Sequence, residues 1–343
     1  MKSKLPRRVT IIYNAPSDKN PYPLAPVTDD DTAGTPKDIQ KALSRRGIST
    51  KLAAIDTAAD LKKIRSAETD LIFNCVDDDI GNKPGTAHLA PKLAQEARLA
   101  FTGGTAGNIL LTTNKAATKQ YLLTYGIPTP AFAVIERPEY LDIAYHLRDK
   151  FPLMVKPAAT DGSAGVTQKS VVTNEKNLRK QVTEVTRIFK QPALVEQYIA
   201  SREINAAIME RNGRPYLLPF SEIMFERGYG QKYKIVDFAA KWRPKTKQYR
   251  HTPAMCPAEV SKPLGRKLAA YAKMIWKYLN LQSYARIDFR IDERGNPFVL
   301  EVNCNPDISN DQNTGFPRAA RAAGYNYDDM IAAIVEAAWR RYE

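Results

Sequence analysis

Short apolar runs alternate with amphipathic stretches through the first third of the chain. Residues 9–13, Val-Thr-Ile-Ile-Tyr, form an apolar run of strand length, and residues 50–55 and 70–75 repeat it. Between them, residues 35–43 and 58–66 carry helical spacing; Thr35 suits an N-cap, Pro36 the first helical position, and Gly47 the stop. Residues 87–97 predict a further helix, and residues 99–104 a last short strand running into a glycine turn. Strands alternating with helices predict an open parallel sheet with covering helices.

Beyond residue 112 the composition changes. Residues 115–125 read as a helix closed by Gly126, and the Pro-rich stretch 127–132 as extended chain. Residues 153–157 form a strand bearing Lys156, followed by the loop Ala-Ala-Thr-Asp-Gly-Ser-Ala-Gly-Val and a strand at 170–172. Gly162 and Ser163, directly after a lysine-bearing strand, suit a backbone cradle for phosphates or a plain hairpin turn. The order is not that of a Walker motif, because the lysine precedes the glycines. A helix at 176–189, a strand at 193–199, a strand starting near Glu203, and helices at 259–279 and 327–342 complete the pattern. The composition change places a first domain boundary at residue 113, with an α/β domain before it.

One stretch concentrates chemistry. Residues 284–291 alternate with a strand's two-residue period, placing Arg286, Asp288 and Arg290 on one face. Asp-Glu-Arg-Gly-Asn then turns the chain, and the returning strand ends on Glu301 and Asn303. The hairpin brings together Asp288, Glu301 and Asn303, hard oxygen donors suited to Mg²⁺, with Mn²⁺ as an alternative. A half-exposed hairpin with a charged wet face is the plainer reading of any one of them.

Composition excludes little. At 343 residues, with 43% apolar and 26% charged positions, the chain has room for two or three packed domains. No run approaches a membrane span, and the first apolar run is too short for a signal peptide, so a cytoplasmic protein is expected. Cys75, Cys256 and Cys304 and the three histidines lack metal-site or disulfide spacing. The net charge is +14, with 35 basic and 24 acidic residues after position 113. Residues 226–250 hold eight basic and two acidic residues and five aromatics. Such a segment suits either a nucleic-acid surface or a lid closing over phosphates.

The ordered set Lys115, Lys156 with its Asp-Gly-Ser-Ala-Gly-Val loop, Val195-Glu-Gln-Tyr, Glu203, Lys241, Arg286-x-Asp-Phe and Leu300-Glu-Val-Asn resembles the ATP-grasp superfamily. Within it the set is most similar to the D-alanine–D-alanine ligase group, over essentially the whole chain. The resemblance implies an ATP-grasp fold of two α+β subdomains, 114–200 and 201–343, after the N-terminal α/β domain of residues 1–113. It implies a cytoplasmic ATP-dependent carboxylate–amine ligase working through an acyl phosphate on amino-acid or peptide substrates. Lys115, Lys156, Gly162 and Ser163 would contact phosphates; Glu196, Gln197, Tyr198 and Ile199 would hold adenine; Glu203 would bind ribose. Lys241 would reach the phosphates from the lid, Asp288, Glu301 and Asn303 would hold Mg²⁺, and Arg286 would stabilise an oxyanion. A homodimer is a further implication. The group's Gly-Gly-x-Ser-x-Glu segment is replaced here by Asn14-Ala-Pro-Ser-Asp-Lys, and its His-Gly-x-x-Gly-Glu segment by Val76-Asp-Asp-Asp-Ile-Gly. Different substrates from D-alanine are therefore expected, with Asp307, Ser309, Asp77 and Asp78 as candidate contacts. The alternatives are a ligase acting on a peptide or protein terminus, and a basic nucleic-acid-binding protein on the same scaffold. The intact set of metal ligands and lysines argues against the second.

Overall fold

A computed structural model describes residues 5–15, 29–65, 69–76, 79–83, 85–311 and 313–342. The first sheet is parallel, in the order β2-β1-β3-β4, from β1 (Arg8–Asn14), β2 (Ser49–Ile55), β3 (Leu71–Cys75) and β4 (Ala100–Phe101). Alternating side chains feed two cores. Val9, Ile11, Leu71 and Phe73 meet Ile39 and Leu43 of α1 (Asp29–Ser44) on one face. On the other, Ile12, Ile72 and Phe101 meet α2 (Ala58–Arg65) and α3 (Leu89–Glu96). The start expected for α1 at residue 35 is corrected: the helix begins at Asp29 and Pro36 lies inside it. Pro36 is the eighth residue of this helix, so its missing N–H removes an internal hydrogen bond and its ring crowds the carbonyl four residues back, a cost of about 3 kcal/mol. A helix the sequence reading missed, α4 (Ala106–Thr113), precedes α5 (Lys115–Thr124).

The second sheet is antiparallel, in the order β5-β8-β6-β7: β5 (Phe132–Ile135), β6 (Leu153–Pro157), β7 (Val171–Val172) and β8 (Ala193–Gln197). One face is covered by α6 (Glu175–Phe189), whose Leu178, Val182 and Val185 bury against Val155 and Val195, and by a 3₁₀ stretch at Pro138–Lys150.

The third sheet runs β12-β11-β9-β13-β14, with β10 (Arg214–Leu217) also paired to β9. Its strands are β9 (Arg202–Arg211), β11 (Ser221–Ile223), β12 (Ala254–Met255), β13 (Tyr284–Ile291) and β14 (Pro297–Asn303). Between β11 and β12 lie two short helices, α7 (Phe238–Trp242) and α8 (Lys247–Arg250). Ile204, Ala206, Ile208, Ile287 and Phe289 face α9 (Lys262–Tyr278), Ile109 of α4 and Leu122 of α5. Truncating the fully buried Phe289 to Ala would cost about 3–5 kcal/mol. The two-residue period leaves Glu203, Asn205, Arg286, Asp288 and Arg290 on the opposite face. Beside them Ala207, Met209 and Tyr284 pack under α10 (Gly315–Ala322) and α11 (Tyr327–Arg340), sharing a core with the first sheet.

Candidate active site

Register builds the centre of the site. Asp288 pairs with Glu301 on one side and with Asn205 on the other, and Asn205 pairs with Ser221. A polar row, Glu301–Asp288–Asn205–Ser221, therefore crosses four strands. The register shifts after Asp288, which next to a site re-aims side chains. Arg286 Nε and Nη2 donate to the two Asp288 carboxylate oxygens at 2.8 and 2.9 Å, and Asn205 Nδ2 donates to Oδ1 at 2.7 Å. Asn303 Nδ2 reaches Asp288 and Glu301, each at 3.4 Å.

The two carboxyls of this row titrate in opposite directions. Burial pushes the Asp288 carboxyl up, and Glu301 adds to the shift while Arg286 opposes it. For Glu301 burial also raises the pKa, but Lys115, Arg286, Lys156 and Lys241 outweigh it and hold the carboxyl at about 2. Four cations from four segments thus converge on one carboxylate.

Lys115 Nζ, 5% exposed, is held by the Thr160 carbonyl at 2.8 Å and by Asp161 at 2.6 Å. Lys156 Nζ lies 2.5 Å from Glu196. The loop between β6 and β7 is a wide one rather than a tight hairpin turn, and Gly162, Ser163 and Gly165 all have positive φ. A β-carbon on Gly165 would lie 2.6 Å from the Phe189 ring, so only glycine fits there. The basic segment 226–250 sits on this loop: Trp242 Nε1 donates to the Gly162 carbonyl at 2.8 Å and Ser163 Oγ to the Val236 carbonyl at 2.9 Å. Lys241 lies 5.0 Å from the Trp242 ring centroid.

At the adenine candidates the strand ends at Gln197, two residues earlier than expected, and backbone bonds carry the chain on. Gln197 N–H donates to the Ala131 carbonyl and Tyr198 N–H to the Pro152 carbonyl. Ile199 is buried. The Glu196 carboxylate turns inward between Lys156 and Lys119, the latter 2.9 Å away. Glu203 lies 3.4 Å from Arg290, and burial raises its pKa. Asp307 is exposed and accepts the Ser309 N–H at 2.8 Å, closing its own turn, while Ser309 Oγ bonds Thr314 at 2.7 Å. Asp77 and Asp78 lie outside the described residues. The neighbouring Asp79 accepts the N–H groups of Thr86 and Ala87 and so shapes a turn.

Three residues of the site escaped the sequence reading. Lys119 lies one helical turn beyond Lys115, and Asn205 two strand positions beyond Glu203. That spacing was the available signal. Trp242, the lid's anchor on the glycine loop, carried none beyond being aromatic.

The donor set fits a hard divalent cation with a polyanion. Among the described residues no three His, Cys, Asp or Glu side chains cluster as a metal site, so the candidate rests on two carboxylates and an amide. Mg²⁺ characteristically uses one or two carboxylates and completes its shell with phosphates and water. The glycine loop, with positive φ at Gly162, Ser163 and Gly165, and Lys115, Lys156 and Lys241 could hold the complementary anion.

Comparison with known proteins gives the family. The family described as D-ala D-ala ligase C-terminus matches residues 122–336. A D-alanine–D-alanine ligase of Pelotomaculum thermopropionicum is 30% identical over 292 residues, covering 83% of this chain and 85% of that one. An uncharacterized protein of Sinorhizobium fredii is 31% identical over 273 residues, covering 79% and 75%. The crystal structure of the Bacillus anthracis D-alanine–D-alanine ligase complexed with ATP shares the fold, with a TM-score of 0.74 at 20% identity over 98% of this chain and 97% of that one. No helix among the described residues is long and apolar enough to cross a membrane. The chain belongs to the D-alanine–D-alanine ligase family of ATP-grasp enzymes, ATP-dependent, ADP-forming ligases that make C–N bonds.

Proposed function

We propose that the protein uses ATP and Mg²⁺ to activate the carboxylate of an amino-acid-like molecule as an acyl phosphate and join it to an amine, with substrates other than a pair of D-alanines. The pairing of Asp288 with Glu301 across the hairpin, and the two-bond grip of Arg286 on Asp288, carry this reading. ATP supplies the phosphoryl group that turns an unreactive carboxylate into an acyl donor. Asp288, Glu301 and Asn303 would hold the metal; Lys115, Lys156 and the backbone of residues 158–166 would hold the phosphates. The 196–199 segment would hold the base and Glu203 the ribose. Arg286, fixed by two bonds to Asp288, would face the oxygen on which charge develops as the amine attacks, where a preorganised cation is most effective. Docking of Trp242 over Gly162 would keep water from the acyl phosphate and bring Lys241 over the phosphates. The absent first-loop glutamate supports a changed substrate pair. A homodimer belongs to the same proposal.

The test is a phosphate-release screen against pairs of amino acids and dipeptides, with Mg²⁺ required. Glu301→Ala should lose ADP formation with an unchanged circular dichroism spectrum. Near-normal turnover in that variant would overturn the metal assignment.

A further inference from the structure

The polar row of the third sheet does not end at Ser221. Arg318, from the first turns of α10, reaches down to it: Nη2 donates to Ser221 Oγ at 3.0 Å and Nη1 to the Asn313 carbonyl at 2.6 Å. Its Nε is buried and has no acceptor. No described carboxylate lies within ion-pair distance of Arg318 or of Arg321, whose Nη2 is taken only by the Asp311 carbonyl at 2.8 Å. Arg286 is the close neighbour. A β-carbon on Gly315 would sit 3.6 Å from Arg286 Nη1 and 3.7 Å from Arg318 Nη2, so both guanidinium groups border the same glycine. Burial, with Arg286 and Arg321 adding, lowers the Arg318 pKa to about 10.

This arrangement is costly as a purely structural one. A guanidinium has five N–H donors, and here the neutral Asn313 carbonyl and Ser221 hydroxyl take two Nη groups, with Asp288 acting on the charge only from a distance. A partly buried cation beside two other cations needs an anion or a strong reason to persist. Of the three arginines at this end of the row, only Arg286 has a carboxylate partner. The other two bond the loop that follows the hairpin, through the Asn313 and Asp311 carbonyls. Phosphates are provided for elsewhere, so the missing anions belong to the other substrate. Of the two, Arg318 has the buried Nε with no acceptor among the described residues, and its fork matches one carboxylate.

We propose that Arg318, beside Arg321 and Ser221, is a specificity-determining residue that binds the side-chain carboxylate of an acidic amino-acid substrate, an α-amino dicarboxylate of the aspartate or glutamate class. The inference rests on the ligase reading above and names one of its substrates. Arginine suits the task because its planar fork matches a carboxylate and stays charged.

Calorimetric titration of the full chain tests it, using aspartate and glutamate of both hands against asparagine and glutamine. At least one acid should bind at least tenfold more tightly than its amide. Arg318→Met should bring that acid down to the amide's affinity, and Arg318→Lys should restore part of the difference. Equal affinity for acid and amide, no binding of either, or an acid preference unchanged in Arg318→Met overturns the proposal. If Arg318→Met does not fold, the wild-type comparison decides. A parallel titration with a non-hydrolysable ATP analogue and Mg²⁺ separates the two levels. Loss of the acid preference with nucleotide binding intact removes the subsite alone, whereas failure to bind nucleotide removes the ligase reading.

Discussion

Glu196 offers a sharp energetic test, because it is a single carboxylate serving two lysines. It is 2% exposed, with Lys156 at 2.5 Å and Lys119 at 2.9 Å. Lys119 is 1% exposed and also donates to Thr129 Oγ at 2.8 Å. The cluster carries a net charge of +1, so its two kinds of member are not equivalent. Glu196→Gln leaves two cations facing each other without a counter-charge, and breaking a buried pair this way costs about 3–5 kcal/mol. Lys119→Met leaves the neutral Lys156–Glu196 pair. It loses a charged hydrogen bond, about 1.5–3 kcal/mol, but removes a desolvated charge, and the two largely offset. The expected cost of Lys119→Met is therefore about 1 kcal/mol. Urea melts followed by circular dichroism at pH 7 should show Glu196→Gln as much the less stable variant. A Lys119→Met cost equal to or greater than that of Glu196→Gln would refute the net-charge argument. The pH dependence gives a second reading of the same cluster. Burial lowers the Lys119 pKa from 10.5 to about 8 despite the pull of Glu196. The unfolded chain holds that proton up to pH 10.5 while the folded chain releases it near 8. Stability relative to Lys119→Met should then rise with pH across this window, by about 3 kcal/mol in total. A flat difference between pH 8 and 10.5 would show that Lys119 is not desolvated.

Other variants probe the rest of the site. Arg286→Ala should lower kcat about 10²–10³-fold with little change in ATP affinity; calorimetry showing loss of nucleotide binding would contradict the oxyanion role. Trp242→Ala removes the bond to Gly162, so hydrogen exchange across residues 226–250 should quicken in the free protein and slow again with ATP and Mg²⁺. Gly165→Ala forces the loop against Phe189 and should raise the KM for ATP more than tenfold; wild-type KM would mean that the loop does not hold phosphate.

What the sequence made legible follows from period and locality. The two-residue alternation of 284–291 placed Arg286 and Asp288 on one face, and the turn at 292–296 fixed their partner strand, because a hairpin is a local object. The alternation in the first hundred residues likewise announced a parallel sheet. The misses are non-local or masked by residue type. In α10, Gly315 and Pro317 read as breakers, yet both stand in the first turn, where proline costs no hydrogen bond. The same preference put the start of α1 at Pro36, too late. Lys119 reads as an ordinary helical lysine until the fold sets it against Glu196, 77 positions away. Asp307, expected as a substrate contact, is exposed beside the hairpin and accepts the Ser309 N–H.

The third sheet explains why a handful of positions carry so much. One face is committed to α9 through Ile204, Ala206, Ile287 and Phe289, so every intervening residue must point the other way. At the β10 end those residues are Ala207, Met209 and Tyr284, and they are sealed by α10 and α11. At the other end they are Glu203, Asn205, Asp288 and Arg290, and Arg290 donates to the Lys234 carbonyl of the lid segment. Burial there is what makes the chemistry possible: it raises the Asp288 and Glu203 carboxyls and leaves Glu301 ionised only through surrounding cations. A charge pattern this dependent on its neighbours is stable only while the apolar face holds the strands in register. A one-residue slip of β13 would bury Arg286 and Asp288 against α9 and expose Ile287 and Phe289. Fold and site are thus specified by the same alternation, and substitutions in the α9 core should perturb the site through strand register before they abolish folding.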